Sequence, residues 1–277
     1  MTRTFDTDLK HATSRDGTEI GYNTSGAGLE QLLLVHGALS DHTRFDALRP
    51  HLEPHATVHA MDRRGRGVSG DHREYAIERE YEDVAAVVDA IAAATGTAVS
   101  VYGHSSGGIY AYGAASLTEN IARLVLYDGW PPTTTDLWNA PLELIEQLEA
   151  LLQAGEREKI VETVARELAG LSDDALAVYR ADASWPSRVA AAHTFAREER
   201  AGANTVFDSE QAARLTMPML LMVGKRTPPS WLHDARAVAA ALPDARIIVL
   251  EGRGHGADIV TPELCAEHLI VFLREGQ

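Results

Sequence analysis

Six short, mostly apolar runs constrain this chain more than any other feature: QLLLVHG (31–37), TVHAMD (57–62), AVSVYG (98–103), ARLVLYD (122–128), MPMLLMVG (217–224) and ARIIVLEG (245–252). They are too brief for helices and too uniformly apolar for strands wetted on one face. A strand apolar on both faces needs cover on both, so the runs read as parallel strands of a buried sheet. Helical patterns fall between most of them, among them REYEDVAAVVDAIAAAT (79–95) and a small-residue segment after Ser105. This βαβ alternation predicts an α/β fold with a mostly parallel, doubly wound sheet. At the start, Asp16-Gly17 sits between LKHATS and TEIGYN, which is turn chemistry for an antiparallel hairpin on the sheet's edge.

The rhythm stops between Trp130 and Met217. NAPLELIEQLEALLQAG, REKIVETVARELAGL, SDDALAVYRAD and PSRVAAAHTFAREERAG repeat apolar residues at helical spacing, with Asn139 and Ser172 placed as caps. The expectation is a core of residues 1–130 and 217–277 with a helical lid, 131–216, inserted over the strands' carboxyl ends, where open α/β sheets bind ligands.

The net charge of −15, with no basic block to neutralise phosphates, makes nucleic acid and anionic membrane poor partners and leaves a neutral or cationic small-molecule substrate. The basic residues include three lysines only, Lys10, Lys159 and Lys225, consistent with either salt adaptation or a GC-rich genome. Cys265 stands alone, so an intramolecular disulfide is excluded. The N-terminal stretch has no apolar h-region and no apolar run reaches 18 residues, so a soluble cytoplasmic protein is expected. Asn23-Thr24-Ser25 matches a glycosylation acceptor by chance on that expectation. Nothing in the sequence bears on the oligomeric state.

Gly103-His104-Ser105-Ser106-Gly107 spells G-x-S-x-G between a predicted strand and a predicted helix. A tight turn there exposes a serine hydroxyl, and the helix N-terminus offers backbone N–H groups to an oxyanion. Ser105, at the motif's centre, is the expected nucleophile, with Ser106 the rival. His36-Gly37-Ala38 closes the first buried strand, so the Ala38 and Ser106 N–H groups form the expected oxyanion hole, with His36 structural. Among 12 histidines, His255 alone lies on a glycine-flanked loop after the last strand, and is the expected base.

HGA, GHSSGG, GRGH and DRRGRGVSG (62–70) together resemble the α/β-hydrolase superfamily over nearly the whole chain. In that family the acid of the triad usually follows the strand after the lid, as G-x-x-D. Here that place holds Gly224-Lys225-Arg226-Thr227, and a threonine cannot balance an imidazolium. Some members carry the acid after the preceding strand, which implies Asp128, with Asp234, Glu251 and Asp258 as alternatives. The order Ser105, Asp128, His255 is the one that the fold requires.

Other motifs carry less. Gly65-Arg66-Gly67-Val68-Ser69-Gly70 spells a dinucleotide fingerprint, but DHREY separates it from the next helix. His51, His55 and His59 are spaced by four, yet Pro54 and a strand break any shared helical face. No cofactor and no metal are therefore expected. Trp130, Trp138, Trp185 and His193, in or beside the lid, are candidates to line a substrate pocket, although packing is the commoner role for such residues. The combined expectation is a cofactor-free serine hydrolase of a carboxylic ester, lactone or similar acyl compound. A C–C bond hydrolase or lyase on the same machinery, and a ligand-binding protein without turnover, are the alternatives.

Overall fold

The computed structural model describes residues 8–134 and 140–275. Strands β1 (Asp8–Thr13) and β2 (Glu19–Ser25) form the expected edge hairpin, followed by β3 (Glu30–Val35), a 3-10 turn (His42–Phe45), α1 (Arg49–Leu52), β4 (Ala56–Met61) and α2 (Ile77–Thr95). Next come β5 (Val99–His104), α3 (Ser106–Ala114) and β6 (Ile121–Tyr127). The chain then leaves the sheet for α4 (Leu142–Gln153), α5 (Arg157–Glu167), α6 (Asp173–Ala181), α7 (Trp185–Gly202) and α8 (Ser209–Ala212). It returns as β7 (Met219–Gly224), α9 (Pro229–Ala241), β8 (Ala245–Leu250), α10 (Ala257–Val260) and α11 (Pro262–Arg274).

The eight strands run in the order β1-β2-β4-β3-β5-β6-β7-β8, parallel from β4 onward and antiparallel at the β1–β2 and β2–β4 pairs. Pleating divides each strand between two cores. Leu33 and Val35 of β3 face Val84 and Val88 of α2, whereas Leu32 and Leu34 face Phe45 and α11 residues Leu269 and Phe272. Each fully buried leucine here contributes about 1.5–3 kcal/mol of transfer free energy. One strand departs from expectation. ARIIVLEG was read as buried, but β8 has no neighbour beyond it and, apart from buried Leu250, is partly or fully exposed.

Strand order reverses at β3, whose chain crosses first to β4 on one side and then back to β5 on the other. Connections leaving in opposite directions open a crevice at the carboxyl ends of β3 and β5, the general ligand position in such sheets. The inserted helices have an apolar cluster of their own, with Leu148, Ile160, Trp185 and Phe195, and it packs onto Leu39 and Ala38 from the loop after β3. Ser172 caps α6 as expected, its side chain accepting from Ala175 N–H; Asn139 lies outside the described residues. Among the described residues no helix is long and apolar enough to cross a membrane.

Candidate active site

At the end of β5 the chain turns sharply into α3, and Ser105 takes φ 56° and ψ −133° to make the turn. For a residue with a Cβ this costs about 1–3 kcal/mol and needs support on every side. Ser105 N–H donates to Tyr127 O at 2.9 Å, tying the turn to β6. The neighbours permit no bulk: a Cβ on Gly129 would lie 1.8 Å from Ser105 O, and one on Gly107 would lie 2.3 Å from Val35 O. The serine side chain itself is half-buried and reachable.

The loop after β3 approaches the same hydroxyl, since a Cβ on Gly37 would sit 2.8 Å from Ser105 Cβ and 3.3 Å from Oγ. His36 braces that loop. Its Nε2 accepts the Arg63 N–H at 3.2 Å, so Nδ1 carries the proton and donates to Gly37 O at 2.8 Å. Burial, reinforced by the nearby Arg63 charge, holds this imidazole neutral, with its pKa well below the usual histidine value. Ser106 opens α3, so no carbonyl lies a turn behind its N–H. Among the described residues neither that N–H nor the N–H of Ala38 is donated elsewhere.

Asp128 follows β6, is fully buried and has φ 45°. Its Oδ1 accepts the Gly224 N–H at 3.0 Å, and its Oδ2 lies 3.4 Å from His255 Nδ1. His255 is 40% exposed at its side chain, and Trp231 meets its ring edge-on with centroids 5.4 Å apart. Ser105 Oγ makes no hydrogen bond to a described residue. The structure thus brings Ser105, the two free amides and the Asp128–His255 pair to one end of the sheet, with the serine–imidazole contact unmade. Catalytic hydrogen bonds are often long or absent without substrate.

The other carboxylates are engaged elsewhere. Asp234 accepts the Trp130 indole N–H at 2.7 Å and the Thr133 N–H at 3.0 Å. Asp258 pairs with Arg44 at 2.8 Å, and Glu251 is exposed at the end of β8. Thr227 turns inward on its own loop, its hydroxyl donating to Gly224 O at 2.6 Å.

The expected pocket residues among those described each make contacts of their own. Trp130 is fully buried with its N–H consumed by Asp234, so it packs the core and offers a substrate no surface. Trp185 belongs to the apolar cluster of the inserted helices, edge-on to Tyr179 with centroids 5.9 Å apart. His193 donates to Ala190 O at 2.9 Å and points its other nitrogen at Asp71, 3.7 Å away. Trp138 lies outside the described residues. Trp231, in the PPSW stretch that starts α9, and Tyr127 of β6 are the aromatics whose rings meet the imidazole, at centroid distances of 5.4 and 6.5 Å.

Sequence reading missed the support beneath His255. His104 packs tilted against its ring, with centroids 4.5 Å apart and 43° between the planes, and donates from Nε2 to His255 O at 2.7 Å. Burial, then the Arg44 charge, keeps His104 neutral. The signal was present, as His104 is the variable residue of G-x-S-x-G.

The glycine-rich loop 65–70 wraps a carboxylate of its own: Asp62 Oδ2 accepts the Val68 N–H at 2.9 Å, and a Cβ on Gly67 would collide with it. His51, His55 and His59 do not converge; His59 is buried against Gln31 and Thr24, while His55 meets Arg274. No group of three metal-ligating side chains occurs among the described residues. A cavity of about 50 Å³ borders the elbow, lined in part by Ser106, Ile109, Tyr110, Glu198 and Glu199. A wider open groove of about 790 Å³, around Leu117 and Arg214, lies past the far end of α3 and touches none of these residues.

Residues 32–268 match the alpha/beta hydrolase family. An alpha/beta hydrolase from Sphaerobacter thermophilus is 34% identical, with TM-score 0.81, over 95% of this chain and 99% of that one. A hydrolase from Pseudomonas aeruginosa is 26% identical, with TM-score 0.75, over 96% of this chain and 98% of that one. An esterase from Thermogutta terrifontis shares the fold at 22% identity and TM-score 0.70, over 97% of this chain and 98% of that one. No curated protein matches the chain.

Proposed function

The chain belongs to the alpha/beta hydrolase family, and from that membership we propose that it is a cofactor-free serine hydrolase cleaving a carboxylic ester, lactone or similar small acyl substrate through an acyl-enzyme. The observation that carries the proposal is the backbone of Ser105. A non-glycine residue at φ 56°, half-exposed between a buried strand and a helix N-terminus, stores backbone strain of the kind found at functional turns. It aims a hydroxyl at the crevice.

In this reading Ser105 Oγ attacks the substrate carbonyl and gives its proton to His255 Nε2. The Asp128 carboxylate, facing Nδ1, selects the tautomer that leaves Nε2 free and stabilises the imidazolium. The Ala38 and Ser106 N–H groups receive the developing oxyanion. His255 returns the proton to the departing alcohol, and water, activated by the same imidazole, releases the acid.

A second reading, ligand binding without turnover, is favoured by one observation, the missing hydrogen bond from Ser105 Oγ. A fluorophosphonate probe separates the two. Stoichiometric labelling of Ser105, lost in Ser105→Ala together with turnover of short p-nitrophenyl esters, is the expected result; resistance to the probe in a folded protein overturns the proposal.

A further inference from the structure

Among the described residues, the cavity beside the elbow holds one carboxyl group more than the cations around it balance. One wall is Ser106, Ile109 and Tyr110 of α3 with Ile77 of α2, and the facing wall is Glu198 and Glu199 near the end of α7. Glu198 is matched: Arg63 Nη2 lies 2.9 Å from its Oε2, and Arg66 contacts Oε1. Arg63 also grips Glu80, Nε to Oε2 at 2.9 Å and Nη2 to Oε1 at 2.8 Å. Two arginines thus meet two glutamates. Arg64 is held by Asp83 and Asp16, Arg197 by Asp71 and Arg200 by Glu149.

Glu199 is different. It accepts one hydrogen bond, from Ala140 N–H to Oε2 at 3.0 Å, and has no cationic partner among the described residues. Burial pushes its carboxyl up to about 7, the Ala140 hydrogen bond opposing and the Glu198 charge assisting. A group that is costly to ionise without a partner is stabilised when a cation arrives.

We infer that this cavity is a substrate subsite for a short group ending in an ammonium, and that Glu199 is the residue that selects it. The inference rests on the reading of Ser105 as nucleophile, since it is Ser106, next to it, that makes the cavity part of a reacting site. At about 50 Å³ the space is far below the several hundred cubic ångströms of a drug-sized pocket, so it admits a chain of a few heavy atoms. Ile77 and Ile109 suit its methylenes, and the Oε1 of Glu199 takes an ammonium hydrogen. A carboxylate is repelled, because Arg63 and Arg66 are already occupied. The substrate class is a short amino-substituted ester, and the net charge of −15 raises the local concentration of such cations.

The test compares phenyl butanoate, phenyl 3-aminopropanoate, phenyl 3-hydroxypropanoate and monophenyl succinate at about pH 8, each corrected for its hydroxide-catalysed rate. The wild type is expected to favour the amino ester over butanoate by about tenfold or more in kcat/KM, the worth of a charge-assisted hydrogen bond. In Glu199→Gln the ratio of the two should collapse to near unity and the succinate should gain. Calorimetry with propylammonium on Ser105→Ala should show binding that weakens about tenfold or more when Glu199→Gln is added. Ammonium binding without turnover of any ester would support the subsite and sink the hydrolase reading alone. Ester turnover with an unchanged ratio in Glu199→Gln, a hydroxy ester equal to the amino ester, or no ammonium binding would overturn the subsite.

Discussion

Asp128, at the end of β6, and Gly224, at the end of the adjacent β7, are locked together by a 3.0 Å hydrogen bond from the glycine N–H to Oδ1. The bond fixes the carboxylate so that only Oδ2 is left for His255. The strand end from which the acid commonly comes in this family thus supplies a backbone donor here, and its neighbour supplies the carboxylate that faces His255. An amide at position 128 cannot satisfy both partners. With its oxygen on Gly224 its NH2 faces Nδ1 and favours the wrong imidazole tautomer, so Asp128→Asn is expected to lower kcat about 10⁴-fold. Undiminished kcat in a folded variant would place the acid elsewhere.

Asp234 is a structural carboxylate, and its substitution should separate stability from chemistry. Asp234→Asn turns one acceptor into a donor facing the Trp130 indole N–H or the Thr133 N–H. A loss of about 1–3 kcal/mol in the urea unfolding free energy is expected, with turnover within a few-fold of wild type. Catalytic collapse at full stability would contradict this assignment.

Glu198 joins the inserted helices to the core through Arg63 and Arg66, all three fully or nearly fully buried. Removing Glu198 leaves Arg66 without its carboxylate and Arg63 with Glu80 alone. Glu198→Ala should therefore cost about 3–5 kcal/mol, read by chemical denaturation. A cost below about 1 kcal/mol would mean that water reaches the arginines.

Gly37→Ala places a methyl group 3.3 Å from Ser105 Oγ and 2.8 Å from Ser105 Cβ. The second distance forces a shift of loop or elbow. The expected outcome is a folded protein with kcat/KM down about 100-fold or more, as for loss of an oxyanion donor. Wild-type kinetics would show that the HGA loop is not part of the site.

His59 sets an acid-side stability limit. It is buried between Thr24 Oγ1 and Gln31 Oε1, each 2.9 Å away, and burial, with a smaller effect of Lys10, lowers its pKa to about 4. Between that value and the unfolded value of about 6.5 the unfolded chain binds a proton that the folded chain refuses. Stability therefore falls as pH drops from about 6.5 toward 4. In His59→Gln that part of the pH dependence should vanish, measurable as a smaller difference in unfolding free energy between pH 7 and pH 5; an unchanged difference would assign the loss to other groups.

Local pattern determined a great deal. Hydrophobic runs too short for helices, alternating with helical periodicity, specify a doubly wound sheet because burial on both faces is a property of each strand alone. Strand, glycine, serine and helix N-terminus are likewise contiguous in sequence, so the elbow and the glycine-flanked His255 were legible before any fold was known, and the resemblance to a known family added the idea of a displaced acid. Tertiary structure alone decided which carboxylate meets the imidazole. Asp128, Asp234, Glu251 and Asp258 all fall near the ends of strands or the helices that follow, and only the lateral pairing of β6 with β7 puts Asp128 at His255 while Trp130, Arg44 and solvent claim the rest. The same holds for the contact of Trp231 with the His255 ring, and for Glu199, whose lack of a cationic partner among the described residues is visible only once its neighbours are known. Periodicity reports which face of an element is buried; hydrogen bonds and charge pairs depend on distances between elements, which periodicity does not carry.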